Sequence, residues 1–178
     1  TEGGMRRRAG MAAVWLGGAA LGFSLAGARA DSLVVQTSPN LAIPDGNASG
    51  TQSLLDVPVG SGVVTDVNLR LTIAGTGSGG GWNGDLYLLL THAGSASYVL
   101  NRPGKSAGNR LGYGDDGFLN IVFDDEASGD AHVYQQALGM PGDSGLPVAG
   151  SLQPDGRSRD PLLVTESDPR NFMLDVFD

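Results

Sequence analysis

From Val67 to Ile73 apolar and polar residues alternate without a break: Val, Asn, Leu, Arg, Leu, Thr, Ile. Successive side chains of a strand point to opposite faces, so this period of two predicts a half-buried β-strand with Leu69, Leu71 and Ile73 in the core. The glycine-rich hinge Gly75 to Gly84 follows, and then Gly84-Asp85-Leu86-Tyr87-Leu88-Leu89-Leu90 opens a second sheet-forming run. A third, Phe118-Leu119-Asn120-Ile121-Val122-Phe123, ends in Asp124-Asp125-Glu126. Leu86–Thr91 and Tyr98–Leu100 flank Ala93-Gly94-Ser95-Ala96 and predict a hairpin. Shorter strands are expected at Leu33–Gln36 and Ser53–Val59, with Val63–Ile73 as one longer strand. Pro44-Asp45-Gly46 supplies a fixed φ, an Asx turn and a residue free to adopt positive φ, which predicts a tight turn. Asn101–Gly117 and Gly139–Pro161 read as long connections, and Asn171–Phe177 as a last apolar run. The expected fold class is all-β.

The first thirty residues have a different character. Arg6-Arg7-Arg8 precede an apolar stretch from Met11 to Gly27 that ends in Ala28-Arg29-Ala30, the layout of a secretory signal peptide. Glycines break the apolar run, and it is shorter than the about 20 residues that span a bilayer. Residues 1–4 lie upstream of Met5, the expected initiator, and carry no functional weight. Removal after Ala30 leaves 31–178 as a single exported domain with no membrane insertion of the mature chain. The formal net charge is −8, and loss of Arg6, Arg7, Arg8 and Arg29 makes the remainder more acidic still. A surface of that sign excludes nucleic acid and anionic lipid as partners and favours cations. With no cysteine, the fold must hold without disulfides. Asn47-Ala48-Ser49 fits a glycosylation acceptor, a three-residue pattern of little weight.

Among motifs that carry chemistry, Gly142-Asp143-Ser144-Gly145 resembles the surroundings of the serine of trypsin-like proteases. A serine nucleophile needs a histidine base and an orienting carboxylate. The chain offers only His92 and His132, both expected at the surface or at strand edges, and the motif reads as an Asp-Ser-Gly turn. No catalytic residue is assigned. No Gly-x-Ser-x-Gly elbow, His-Glu-x-x-His pair or phosphate-binding loop with its lysine is present. Acids gather at strand ends: Asp85 before one run, Asp124 and Asp125 after another, with Asp115 and Asp116 in a loop. Calcium takes six to eight oxygen ligands from such positions, so Asp85, Asp124 and Asp125 are candidate calcium ligands; solvated charges are the alternative. Trp82, Tyr87, Tyr98, Tyr113 and Tyr134 divide in the same way between sugar stacking and anchoring of core and loops.

Ile43-Pro44-Asp45-Gly46, the alternating Val67–Ile73, Gly84-Asp85-Leu86-Tyr87-Leu88 and Phe123-Asp124-Asp125-Glu126-Ala127 occur in that order. Together they resemble the P domain (Homo B domain) that follows the catalytic domain of subtilisin-like proprotein convertases, in its stand-alone exported bacterial form, over Ile43 to Asp178. The resemblance implies a β-sandwich of jelly-roll type without catalytic residues, a domain that stabilises or regulates a serine endopeptidase. Here it implies a secreted or cell-surface module that meets a protein or glycan partner outside the cytoplasm. A fragment of a serine endopeptidase, or a domain associated with one in proteolysis, is the rival from the enzyme class; a calcium-dependent carbohydrate-binding module is a third reading. The Gly-x-Trp-x-Leu strand and Trp-containing final strand of that family do not occur, so the last strands are expected to be missing.

Overall fold

A computed structural model describes residues 32–58, 62–76 and 80–178. The expected signal peptide lies outside the described residues. The chain divides into two units, Thr1–Val59 and Gly60–Asp178.

In the first unit the turn at Asp45-Gly46 forms, with Gly46 at φ 61°. Asn47 closes a second turn, accepting from the amide of Ser49 through its side chain and from that of Gly50 through its carbonyl. The strands expected at Leu33–Gln36 and Ser53–Val59 do not form in the described residues. A strand needs a ladder partner, and among the described residues none is present there; Val34 is 72% exposed and Leu54 79%.

The second unit is strand-dominated, in two sheets with few helical turns, which agrees with the all-β expectation. Its strands are β1 (Leu69–Ala74), β2 (Tyr87–His92), β3 (Ser95–Asn101), β4 (Gly117–Phe123) and β5 (Ser151–Leu152). One sheet has the order β1-β4-β5, antiparallel then parallel; β2 and β3 form the hairpin. The strand foreseen from Val63 starts only at Leu69, because pairing with β4 begins there, opposite Phe123. The ladder is irregular between Leu71 and Ile73, where Asn120 stands at φ 51°. There the Thr72 hydroxyl accepts the amide of Asn120 at 3.0 Å, replacing a ladder bond. β5 lies inside the expected 139–161 loop, and two residues carry no period that sequence reading can detect.

Leu69, Leu71 and Ile73 of β1 and Leu88 and Leu90 of β2 are half-buried and pack on a buried core of Val99, Leu100, Phe118, Ile121, Phe123, Tyr134 and Leu152, among others. Phe118 meets the rings of Phe123 and Tyr134 edge-on at 6.3 and 5.8 Å. Tyr134 opens a single helical turn, α1 (Tyr134–Ala137), which delivers its hydroxyl to the loop ends described next. Among the described residues no helix is long and apolar enough to cross a membrane.

Candidate functional site

Asp115 is fully buried at the end of the polar connection that leads into β4. A carboxylate taken from water must be compensated by donors or a cation. Here the donors are the Tyr134 hydroxyl at 2.7 Å, the Gln135 amide at 2.8 Å, and both the backbone amide and the hydroxyl of Ser144 at 2.7 Å. Burial pushes the Asp115 carboxyl up; the Ser144 amide, Gln135, the Ser144 hydroxyl and Tyr134 together outweigh it and hold the group below the usual carboxylate range. Asn83, also buried, donates to the Tyr134 oxygen and exchanges two hydrogen bonds with Gly117. The Gly142-Asp143-Ser144-Gly145 stretch is thus a loop docked on a carboxylate: Ser144 grips Asp115 while Asp143 accepts from Gly114 and Gln135. Asp116, the neighbour in sequence, instead accepts the amide of Gly81 in the glycine-rich hinge at 2.6 Å.

His132 corrects a sequence expectation, because it is wholly buried rather than at the surface; His92 is exposed at the end of β2. The Nδ1 atom of His132 lies 2.8 Å from Asp155, and its Nε2 lies 2.8 Å from the carbonyl of Lys105. Burial lowers the imidazole pKa, but the hydrogen bond and charge of Asp155 and the Lys105 carbonyl raise it further, for a net rise. Arg157, 3% exposed, bonds both Asp155 and Asp130, and Arg170 stands 3.6 Å from Asp130. Asn101 of β3 donates to the carbonyls of Arg157 and Arg159, and Lys105 to that of Val164. This second hub ties β3 to the loop after β5. Neither Asp155 nor Arg157 stands in a periodic segment, so the only sequence signal is the turn former Pro154-Asp155-Gly156 beside a basic residue.

The candidate calcium ligands each have a partner within the protein. Asp85 pairs with Arg102 at 3.1 Å. Asp124 accepts the amide of Glu126, and Asp125 accepts the amides of Leu174 and Asp175, satisfying the start of the 3-10 turn Leu174–Phe177. Among the described residues no three His, Asp or Glu side chains gather into a group that could hold a metal ion. The aromatic residues divide. Tyr134 is in the core and Tyr113 packs edge-on against it at 4.8 Å. Trp82 is exposed where it bridges to Asp116. Tyr87, Tyr98 and Phe172 form an edge-to-face ridge with centroids 6.0 and 5.4 Å apart, Tyr87 being 44% and Phe172 37% exposed. Burial against this ridge, then Tyr98 and Asp160, pushes the Tyr87 hydroxyl up to about 12.

The chain matches no family model, no curated protein and no solved structure.

Proposed function

We propose that residues 31–178 act as a non-catalytic module of P-domain type, a jelly-roll-like β-sandwich exported from the cytoplasm, whose surface binds a protein or glycan. The observation that carries this reading is the state of the two side chains an acyl-transfer enzyme would need. The Ser144 hydroxyl donates to Asp115, and both ring nitrogens of His132 are engaged by Asp155 and Lys105. Serine and histidine work as one unit only within mutual hydrogen-bond reach; here each instead holds a loop. The order of motifs adds support, since Gly84-Asp85-Leu86 leads into β2 and Phe123-Asp124-Asp125-Glu126 closes β4. The exposed ridge Tyr87–Tyr98–Phe172 supplies contact area of the kind that binding surfaces use. A peptide-hydrolysis assay on the wild type and Ser144→Ala tests it: neither turns over substrate, and the variant loses about 1–2 kcal/mol of stability with one hydrogen bond to Asp115. Hydrolysis by the wild type that Ser144→Ala abolishes would replace this reading with the serine endopeptidase.

A calcium-dependent version rests on placement: Asp124 and Asp125 follow the end of β4 and Asp85 stands just before β2, carboxylates at strand ends of the kind calcium takes as ligands. Calcium then raises the melting midpoint, and Asp124→Asn removes the rise while Asp85→Asn and Asp125→Asn show whether those carboxylates take part. An unchanged midpoint removes the metal.

A further inference from the structure

Among the described residues the strand β2 has a ladder partner on one side only. Among the described residues no backbone hydrogen bond joins Tyr87–His92 to anything but β3. The far side of β3, in contrast, is covered: Tyr98 donates to Phe172 and accepts from Gly156, and Val99 accepts from Asp155. Open edges in natural sheets carry lysine, proline or a bulge that discourages pairing. β1, at one edge of the other sheet, has Arg70 and the irregularity at Thr72. Tyr-Leu-Leu-Leu-Thr-His has none of these, and the one register shift of the hairpin places its extra residue, Val99, on β3. β2 is also apolar toward both faces: Leu88 and Leu90 lean on the core, while Tyr87 and Leu89 face solvent.

We propose that two copies of the chain pair edge to edge through β2, antiparallel about a two-fold axis at Leu89, giving a continuous sheet β3-β2-β2-β3. A two-fold axis normal to the sheet keeps each face on its own side, so facing residues must share a face. Centring on Leu89 does this. Leu88 meets Leu90 of the second copy on the inner face, Tyr87 meets Thr91 on the outer one, and Leu89 meets itself. Charge selects the same edge. Two net-acidic chains repel, yet β2 contains no carboxylate, lysine or arginine, its titratable side chains being Tyr87 and His92 at its two ends, and Asp85 just before it is paired with Arg102. This pairing needs only β2, so its failure would leave the binding of an outside partner standing.

Light scattering over a wide range of concentration reads the outcome. The wild type is a dimer. Leu89→Lys and Leu89→Glu, each setting like charges opposite one another, weaken it by about tenfold or more and run as monomers; an equimolar mixture of the two recovers the dimer. That recovery separates loss of pairing from loss of folding. The chain has no cysteine, so Leu89→Cys in the wild type adds a second readout. Opposed Cβ atoms about 4.5–5.5 Å apart are joined by a short bis-thiol reagent, whereas Arg70→Cys on β1 is not. A wild type that stays monomeric, charged variants that still dimerise, or a mixture that remains monomeric overturns the proposal.

Discussion

Asp115 receives four hydrogen bonds, and the shortest ion pairs of the second unit all lie elsewhere. Its charge is balanced by neutral donors aimed at it from α1 and from the Ser144 loop. Such an arrangement tolerates no change of the acceptor, because an amide in its place points two hydrogens at groups that themselves donate. Asp115→Asn is therefore expected to cost about 3 kcal/mol, read as a lower urea midpoint with unchanged slope. Gln135→Leu, which removes one donor at the rim, is expected to cost less. At this scale the sequence was partly readable. A serine between aspartate and glycine in a stretch rich in turn formers reads as a turn, and the backbone does bend at Gly145-Leu146, where the Ser144 hydroxyl accepts the amide of Leu146. What it docks on was hidden, since Asp115 lies 29 positions away from Ser144 and nothing local marks that pairing.

The hairpin shows how much an element can state about itself. Its strands are neighbours in the chain, and the two-residue loop Ala93-Gly94 has φ of 49° and 92°, the signature of a type I′ turn that fits strand twist. Alanine is a poor occupant of positive φ, and asparagine a good one. Ala93→Asn is expected to stabilise the protein by about 0.5–1 kcal/mol and to raise its thermal midpoint by about 3 °C, measured by calorimetry. β1 and β4 were legible as strands but not in extent. Their pairing joins Leu69 to Phe123 across the hairpin, so where Val63-Val64 stops being strand depends on a partner far along the chain. The expected strands at 33–36 and 53–59 show the converse: alternation and β-branched residues give propensity, but among the described residues no ladder exists there to use it.

Two hubs of opposite titration behaviour contribute to the pH response of the second unit. The folded-state pKa of Asp115 is lowered, so its contribution is present above the unfolded value of about 3.9 and is lost as pH falls through the folded one. That of His132 is raised, so its contribution is complete below the unfolded value of about 6.5 and is lost as pH rises through the folded one. Stability from these groups is thus greatest between about pH 4 and 6.5. Chemical-denaturation midpoints taken against pH should fall on both sides of that window, and His132→Gln should flatten the alkaline limb while leaving the acid limb in place. The buried histidine was the largest gap in what the chain disclosed. Its partners Asp155 and Lys105 reach it from stretches rich in turn formers, and only the tertiary crossing of those stretches makes a site.

β5 touches β4 over just two residues, side by side rather than head to tail, and it does so after a detour through α1 and the Ser144 loop. Closing a ring of that size costs entropy before any contact repays it, while the hairpin can snap shut on its own in microseconds. During refolding the tyrosine ridge should therefore begin to assemble early. Seating of the carboxylates should come last, making capture of the C-terminal third the slow and mutation-sensitive stage of the reaction.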